Sequence, residues 1–392
     1  MNLEEMIAEI EALGKTCNCG NNHNHISIET MFIGIDAFAK CSSFLLEKKF
    51  KRVLLVADQN TYVEAGEKLG QALRELNFEY SVCIVEPNKI GDVVADEVSI
   101  VQALLKIDNN IDALLAIGSG TIHDITRFCS AKTGKPFISI PTAASVDGFT
   151  SLGAPLIVRG VKKTFQTVSP IALFADINVL MNAPKEMTAA GFGDMLAKYT
   201  SLADWNFGRF IADEPFCPLA ASLTKEALEN CVDKVDKIAV GDEEGVRILL
   251  ASLIQSGLAM LLFGQSHPAS GGEHHLSHYW EMEFLQKKRH QVLHGAKVGV
   301  SSVLLANLYH AWFASGELLP IALNDRSEKI AEIIATIPKS EQIAALLKRV
   351  GGPTFPKELN IDEELVERSL KEAHLLRERF TMLKCYNIKL SQ

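Results

Sequence analysis

Two hydrophobic patterns alternate along the N-terminal half of the chain. Short continuous apolar runs, "RVLLVAD" (52–58), "SVCIVE" (81–86), "DALLAIG" (112–118) and "FISIP" (137–141), are separated by helical patterns of roughly ten to fifteen residues. Apolar runs without polar alternation predict buried parallel strands, because helices cover both faces of such a sheet. A doubly wound α/β sheet takes its ligands at the carboxyl ends of the strands. After "IALFADINVL" (171–180) the pattern changes. From about Pro184 onward only helical periodicity remains, broken at "HPASGG" and "GGPTFP". The chain therefore reads as a Rossmann-like α/β domain over 1–182 and an all-helical domain over 183–392, with the boundary near Leu180–Pro184. There is no internal repeat and no low-complexity tract.

Composition narrows the function classes. A chain of 392 residues with 47% hydrophobic and 22% charged residues predicts about two globular domains. A formal net charge of −9 argues against nucleic acid or an anionic membrane as partner, since both require a basic face. It admits an anionic small substrate only through a few locally placed basic groups. The opening "MNLEEMIAEIEALG" is acidic where a signal peptide is basic, and reads as an amphipathic helix. The run "ILLASLIQSGLAMLLF" (248–263) is shorter than the roughly 20 apolar residues of a membrane span and contains Ser252, Gln255 and Ser256. It is expected to be a buried core helix. Eight cysteines scattered through apolar segments read as reduced core thiols of a cytoplasmic protein.

Several stretches carry candidate chemistry. "GSGTIHD" (118–124) follows a strand and opens a helix, so its glycines allow close backbone approach and its helix N-terminus suits a pyrophosphate. It lacks the third glycine of the dinucleotide fingerprint, and an ordinary βα turn fits it equally well. Asp58 ends another strand, where a carboxylate can bind an adenosine ribose hydroxyl or simply cap the next helix. "PTAASVDGFTS" (141–151) offers small and hydroxyl-bearing residues after a buried strand, although Asp147–Gly148 also fits a plain turn. In "AAGFGDMLAKYTSLADW" (189–205), Asp194 lies within an apolar helical pattern, where a carboxylate needs a partner or a metal; Lys198 stands one turn away.

The densest cluster is "SGGEHHLSH" (270–278). His274 and His278 share a helical face and His275 points elsewhere, but the glutamate of a zincin H-E-x-x-H motif is missing after His274. His294, in "HQVLHGAKVGVSS" (290–302), opens a fresh apolar helix, with His290 as a competing candidate. "CNCGNNHNH" (17–25) gathers two thiols and two imidazoles, but its intervals do not match the usual zinc-site spacings. It is expected to be a surface loop ahead of the first strand, and a non-enzymatic metal-binding protein built on it is the remaining alternative.

Read in order across about Arg52 to Ser302, these motifs resemble the metal-dependent polyol and alcohol dehydrogenase superfamily with a dehydroquinate synthase-like fold. Within it they look most like the glycerol-1-phosphate dehydrogenase family, in its bacterial branch. The resemblance implies NAD(H) or NADP(H) held by Gly120, Thr121, Ile122, His123 and Asp124, by Thr142, Ala143, Ala144 and Ser145, and by Ser151, with Asp58 near the adenosine ribose. It implies one divalent metal, zinc or nickel, on Asp194, His274 and His294, with Asp147, Asp194 and His278 facing the substrate. The implied reaction belongs to phospholipid metabolism. It is reduction of dihydroxyacetone phosphate to sn-glycerol 1-phosphate, with the metal as Lewis acid and His278 at a substrate hydroxyl. A polyol dehydrogenase and a lyase of the dehydroquinate-synthase type are the alternatives. Two departures stand out: Ser119 replaces a family glycine and Arg127 a family lysine. Lys162, Lys163 and Lys198 are the candidates for the substrate phosphate, and a homodimer is expected.

Overall fold

A computed structural model describes residues 3–316 and 326–390. Six strands form one parallel sheet in the order β1-β8-β5-β4-β2-β3, where β1 is Thr30–Gly34, β2 Arg52–Ala57, β3 Glu79–Ile84, β4 Ala113–Gly118, β5 Phe137–Pro141 and β8 Ala172–Asp176. The continuous apolar runs have the expected cause. In β2, Val53, Leu55 and Ala57 enter one helix-covered layer while Leu54 and Val56 enter the other. The chain steps outward from β2 to β3, but from β4 it steps the opposite way to β5 and β8. The order thus reverses between β2 and β4, which opens a crevice beyond their carboxyl ends.

Two β features escape the apolar-run pattern. Edge strand β1 pairs with β8 through the short stretch "TMFIG". An antiparallel hairpin, β6 (Gly153–Val158) with β7 (Val161–Gln166), turns through Arg159 and Gly160 at φ 51° and 75°. Two consecutive residues of positive φ are what a two-residue hairpin needs, but an Arg-Gly pair announces it less clearly than Asn-Gly. β3 also begins earlier than the 81–86 run, because its exposed edge position tolerates Glu79 and Tyr80.

From Ile177 onward the described residues form only helices and their connections. The apolar run at 248–263 belongs to a longer helix, Glu243–Phe263, capped by Asp242 and acidic in its first turn. Its 21 residues are long and apolar enough to cross a membrane, yet it is buried at the centre of the helical core. The Leu3–Thr16 helix packs on it, placing Leu3, Met6, Ile7 and Ile10 in that core. By packing, then, the first helix sides with the C-terminal half.

Close helix contact at two glycines positions the candidate site. A Cβ on Gly191 would lie 1.9 Å from the carbonyl oxygen of Ala144, and one on Gly295 would lie 1.8 Å from that of Ala190. Neither position admits a side chain. The Lys185–Leu196 helix is thereby pressed both against the loop after β5 and against the start of the His294–Ala314 helix.

Candidate active site

A cavity of about 1110 Å³ runs from the β2–β4 crevice to the helical half. At the sheet end it is lined by Asp58, Ser119, Gly120, Thr121, Ile122 and Asp124, and by Thr142, Ser145, Asp147 and Ser151 of the loop after β5. Asp58 plays the part of helix cap as well: its carboxylate accepts from the Thr61 N–H at 2.9 Å. Gly120 opens the Gly120–Thr133 helix, whose free N–H groups face the cavity end of β4.

Three residues named for the cofactor face elsewhere. His123 is buried, with Nδ1 2.9 Å from the Ser119 carbonyl and Nε2 2.7 Å from Ser139 Oγ; burial pushes it down to about 3, so it is neutral. Ala143 and Ala144 are buried within that loop and do not line the cavity. Arg127 also turns away from the cavity. Its guanidinium is fully buried and donates to the carbonyls of Gly148, Phe149 and Gly153, so it braces the 148–153 loop. Burial raises the neighbouring Asp124 carboxyl to about 7 against the opposing pull of Arg127.

At the helical end, Asp194, His274 and His294 each present a ligand atom, all within 4.8 Å of one another. Their distances in sequence are closed by helix packing: Asp194 comes from the Lys185–Leu196 helix, His274 from Gly272–Gln286 and His294 from the first position of His294–Ala314. Asp194 and Lys198 pair at 3.0 Å on a fully buried face. The same ammonium reaches Asp147 Oδ2 at 2.8 Å, and the Asp147 N–H donates to Asp194 Oδ2 at 3.0 Å. Burial works against the charge on Lys198, but the two carboxylates outweigh it and keep it protonated. Ser256 donates to Asp147 Oδ2 at 2.9 Å and completes the network.

His278 lines the cavity one turn beyond His274, with ring centroids 6.2 Å apart. Arg377 lies 3.2 Å from its Nδ1. A guanidinium only donates, so Nδ1 accepts and the ring proton of neutral His278 sits on Nε2. Burial and the adjacent Arg377 charge drive His278 well below its ordinary range, which keeps it neutral. His275 is fully buried, turned roughly a quarter of the way round the helix from His274, and among the described residues both its ring nitrogens lack hydrogen-bond partners. His290 is exposed and pairs with Asp92, outside the cluster.

Of the three lysines considered for an anionic substrate, Lys198 is sequestered in its ion pairs and Lys163 is exposed outside the cavity; Lys162 lines it. Lys162 is supplied by the β7 strand of the unforeseen hairpin and shares Glu281 with Lys297, each at 2.8 Å. Lys162, Lys297 and Arg377 thus bring three cations to this end of the cavity, two of them paired with Glu281.

The family described as iron-containing alcohol dehydrogenase matches residues 32–184. A glycerol-1-phosphate dehydrogenase [NAD(P)+] of Geobacillus stearothermophilus is 52% identical over 394 residues, covering 97% of this chain and 98% of that protein. The chain belongs to the glycerol-1-phosphate dehydrogenase family. The likeness extends to the Pyrococcus furiosus protein of the same name, 33% identical over 84% of this chain and 85% of that one. The fold of this family member also matches a solved NADH-dependent butanol dehydrogenase A from Thermotoga maritima, with a TM-score of 0.67 and 15% identity over 94% and 98% of the two chains.

Five further side chains meet at the cavity or in its ion pairs: Ser256, Glu273, Glu281, Lys297 and Arg377. Two had local signals. Glu273 directly precedes His274 in the first turn of its helix, and Lys297 stands one turn from His294. Arg377 had none, since it arrives from a C-terminal segment about a hundred residues away in sequence.

Proposed function

We propose that this protein reduces dihydroxyacetone phosphate to sn-glycerol 1-phosphate in the cytoplasm, using NAD(P)H and a zinc or nickel ion on Asp194, His274 and His294. The observation that carries this reading is one continuous cavity with a dinucleotide-type crevice at one end and a two-imidazole, one-carboxylate cluster beside three cations at the other. The names of relatives up to 52% identical point the same way.

The donor set fits a divalent cation. Glu273 holds His274 Nδ1 at 2.8 Å, leaving Nε2 toward the cluster, as a carboxylate commonly does for a metal-binding imidazole. The carboxylates of Asp147 and Asp194 share one ammonium, Lys198, which leaves one formal negative charge for such a cation to offset. When bound, the cation supplies Lewis-acid polarisation of the C2 carbonyl and the nicotinamide supplies the hydride.

The chain's own residues do the rest. Amides at Gly120 and Thr121 bind pyrophosphate, Asp58 accepts from an adenosine ribose hydroxyl, and Thr142, Ser145 and Ser151 line the cofactor's path. Lys162, Lys297 and Arg377 attract the substrate phosphate. The Nε2–H of His278 donates to a substrate oxygen, and Asp147, held by Lys198 and Ser256, faces the same space. A homodimer is the assembly inferred, and light scattering checks it.

The test is NAD(P)H oxidation by apo-protein supplemented with single metals, offered dihydroxyacetone phosphate, dihydroxyacetone and other ketones, with chiral analysis of the product. Strong preference for the phosphorylated ketone and a 1-phosphate product is the expected result. Equal turnover of free dihydroxyacetone would instead indicate a polyol dehydrogenase, and turnover without net cofactor use a lyase.

A further inference from the structure

The stretch "CNCGNNHNH" does not stand alone in the folded chain. Cys217, the N-cap of the Pro218–Asp233 helix, joins it, so that Cys17, Cys19, His23 and Cys217 bring three sulfurs and one ring nitrogen within 4.8 Å of one another. This cluster shares no residue with Asp194, His274 and His294. Here we propose a second metal site: a structural zinc ion held by Cys17, Cys19, His23 and Cys217.

The spacing suits tetrahedral zinc. Cys17 Sγ lies 3.9 Å from Cys217 Sγ, Cys19 Sγ lies 3.6 Å from His23 Nε2, and that nitrogen lies 3.2 Å from Cys217 Sγ. Tetrahedral bonds of about 2.3 Å to sulfur and about 2.0 Å to nitrogen separate the ligand atoms by roughly 3.5–3.8 Å. A disulfide brings its sulfurs to about 2.05 Å, so the Cys17–Cys217 separation is that of two thiols. Three sulfurs and one imidazole form a soft, closed set of four, which selects zinc and leaves no position for a substrate.

Two N–H donors reach these sulfurs. Asn21 Nδ2 donates to Cys19 Sγ at 3.3 Å, and the Ala220 N–H donates to Cys217 Sγ at 3.4 Å from the first turn of the helix that Cys217 caps. The positive end of a 16-residue helix lies there, while burial pushes the metal-free Cys217 thiol up to about 12. Gly20, at φ +80°, turns the chain so that Cys19 and His23 face the same point. Asn21 also donates to the Phe216 carbonyl at 2.8 Å, fixing the loop to the segment that delivers Cys217. His25 has no part in the cluster, since its Nδ1 pairs with Glu11 at 2.5 Å.

The site has a mechanical consequence. The segment between the Leu3–Thr16 helix and β1 has no regular structure, and the metal staples its start to the helical half. It would hold the N-terminal helix, with Leu3, Met6, Ile7 and Ile10, in the core.

Cobalt loading of the reduced, full-length protein tests this directly. Thiolate-to-cobalt charge-transfer bands and intense tetrahedral ligand-field bands are expected. The Asp194–His274–His294 cluster, which has no sulfur, cannot produce the former. The bands should persist in His274→Ala and vanish in Cys19→Ala and Cys217→Ser. Because those cysteine variants can fail to fold, the wild-type protein provides a second measurement: an organomercurial should release one zinc ion per chain as the thiols react. A folded wild-type protein without thiolate–cobalt bands would overturn the proposal. So would a Cys17–Cys217 disulfide in peptides mapped from zinc-loaded protein.

Discussion

Glu273 Oε1 lies 2.8 Å from Nδ1 of His274, while its other oxygen accepts from Thr200 at 2.8 Å. The buried carboxylate therefore fixes the tautomer and the ring plane of His274. Burial alone would raise the Glu273 carboxyl, but hydrogen bonds from His274, the Gly271 N–H and Thr200 bring it below its ordinary range. Glu273→Gln keeps the shape and removes the charge. It should weaken divalent-metal binding about 10–100-fold, measured by competition with a chelator, while far-ultraviolet circular dichroism stays unchanged.

Gly295→Ala tests the helix contact beneath the site. Its methyl would lie 1.8 Å from the Ala190 carbonyl oxygen, so the two helices must separate. A loss of about 1–3 kcal/mol or more in urea denaturation is expected. Metal affinity should fall with it, because Asp194 and His294 ride on those two helices. Unchanged stability together with unchanged metal binding would show that the contact does not set the cluster.

Arg377 offers charge both to His278 and to an incoming phosphate. Replacing it by Met should lower kcat/KM for dihydroxyacetone phosphate roughly 10- to 150-fold, the equivalent of a charge-assisted hydrogen bond of about 1.5–3 kcal/mol. Steady-state kinetics on dihydroxyacetone serve as the control, and the loss there should be much smaller. Equal losses on both substrates would place Arg377 at His278 alone.

Glu281 carries the pH prediction. Burial pushes its carboxyl up, but Lys162 and Lys297 at 2.8 Å outweigh that and hold it far below the usual carboxylate range. A depressed folded pKa means the unfolded chain binds the proton more readily. The stabilisation is therefore complete above the unfolded value of about 4.3 and is lost as pH falls through the folded one. Glu281→Gln should cost about 3–5 kcal/mol at neutral pH, as one partner of a buried ion pair is removed. The deficit, followed by urea denaturation across pH, should shrink below about pH 4. A deficit that is constant down to strong acid would mean that the carboxylate is not the source.

Chelation addresses the Asp194–His274–His294 cluster itself. Apo-protein should retain NADH binding by fluorescence, because the crevice at β2 and β4 contains none of the metal ligands. Turnover should fall at least about 100-fold, the loss of several kcal/mol of charge stabilisation, and return with zinc or nickel.

What was legible in the sequence followed local periodicity. Buried strands β2, β4 and β5 read correctly because a sheet covered on both faces needs uninterrupted apolar runs, and Val53–Ala57 obeys that need residue by residue. Motifs confined to one turn or one loop were legible for the same reason: His274 and His278 share a face because the helix repeats every 3.6 residues. Edge strand β1 and the β6–β7 hairpin were not, since an edge strand has a weaker apolar pattern and an Arg-Gly turn a weaker signal.

Only the tertiary structure decided which distant groups meet. Close packing at Gly191 and Gly295 set Asp194 against His294, and the hairpin carried Lys162 to Glu281 and Lys297. Helix packing also brought Cys217 to Cys17, Cys19 and His23, turning a stretch read as a surface loop into four converging ligands. Periodicity records which face of an element is buried; it carries no record of the partner on the other side. That partner is chosen by shape, by unpaired charge and by the need of every buried polar group for a bond, and these act only once the chain has folded.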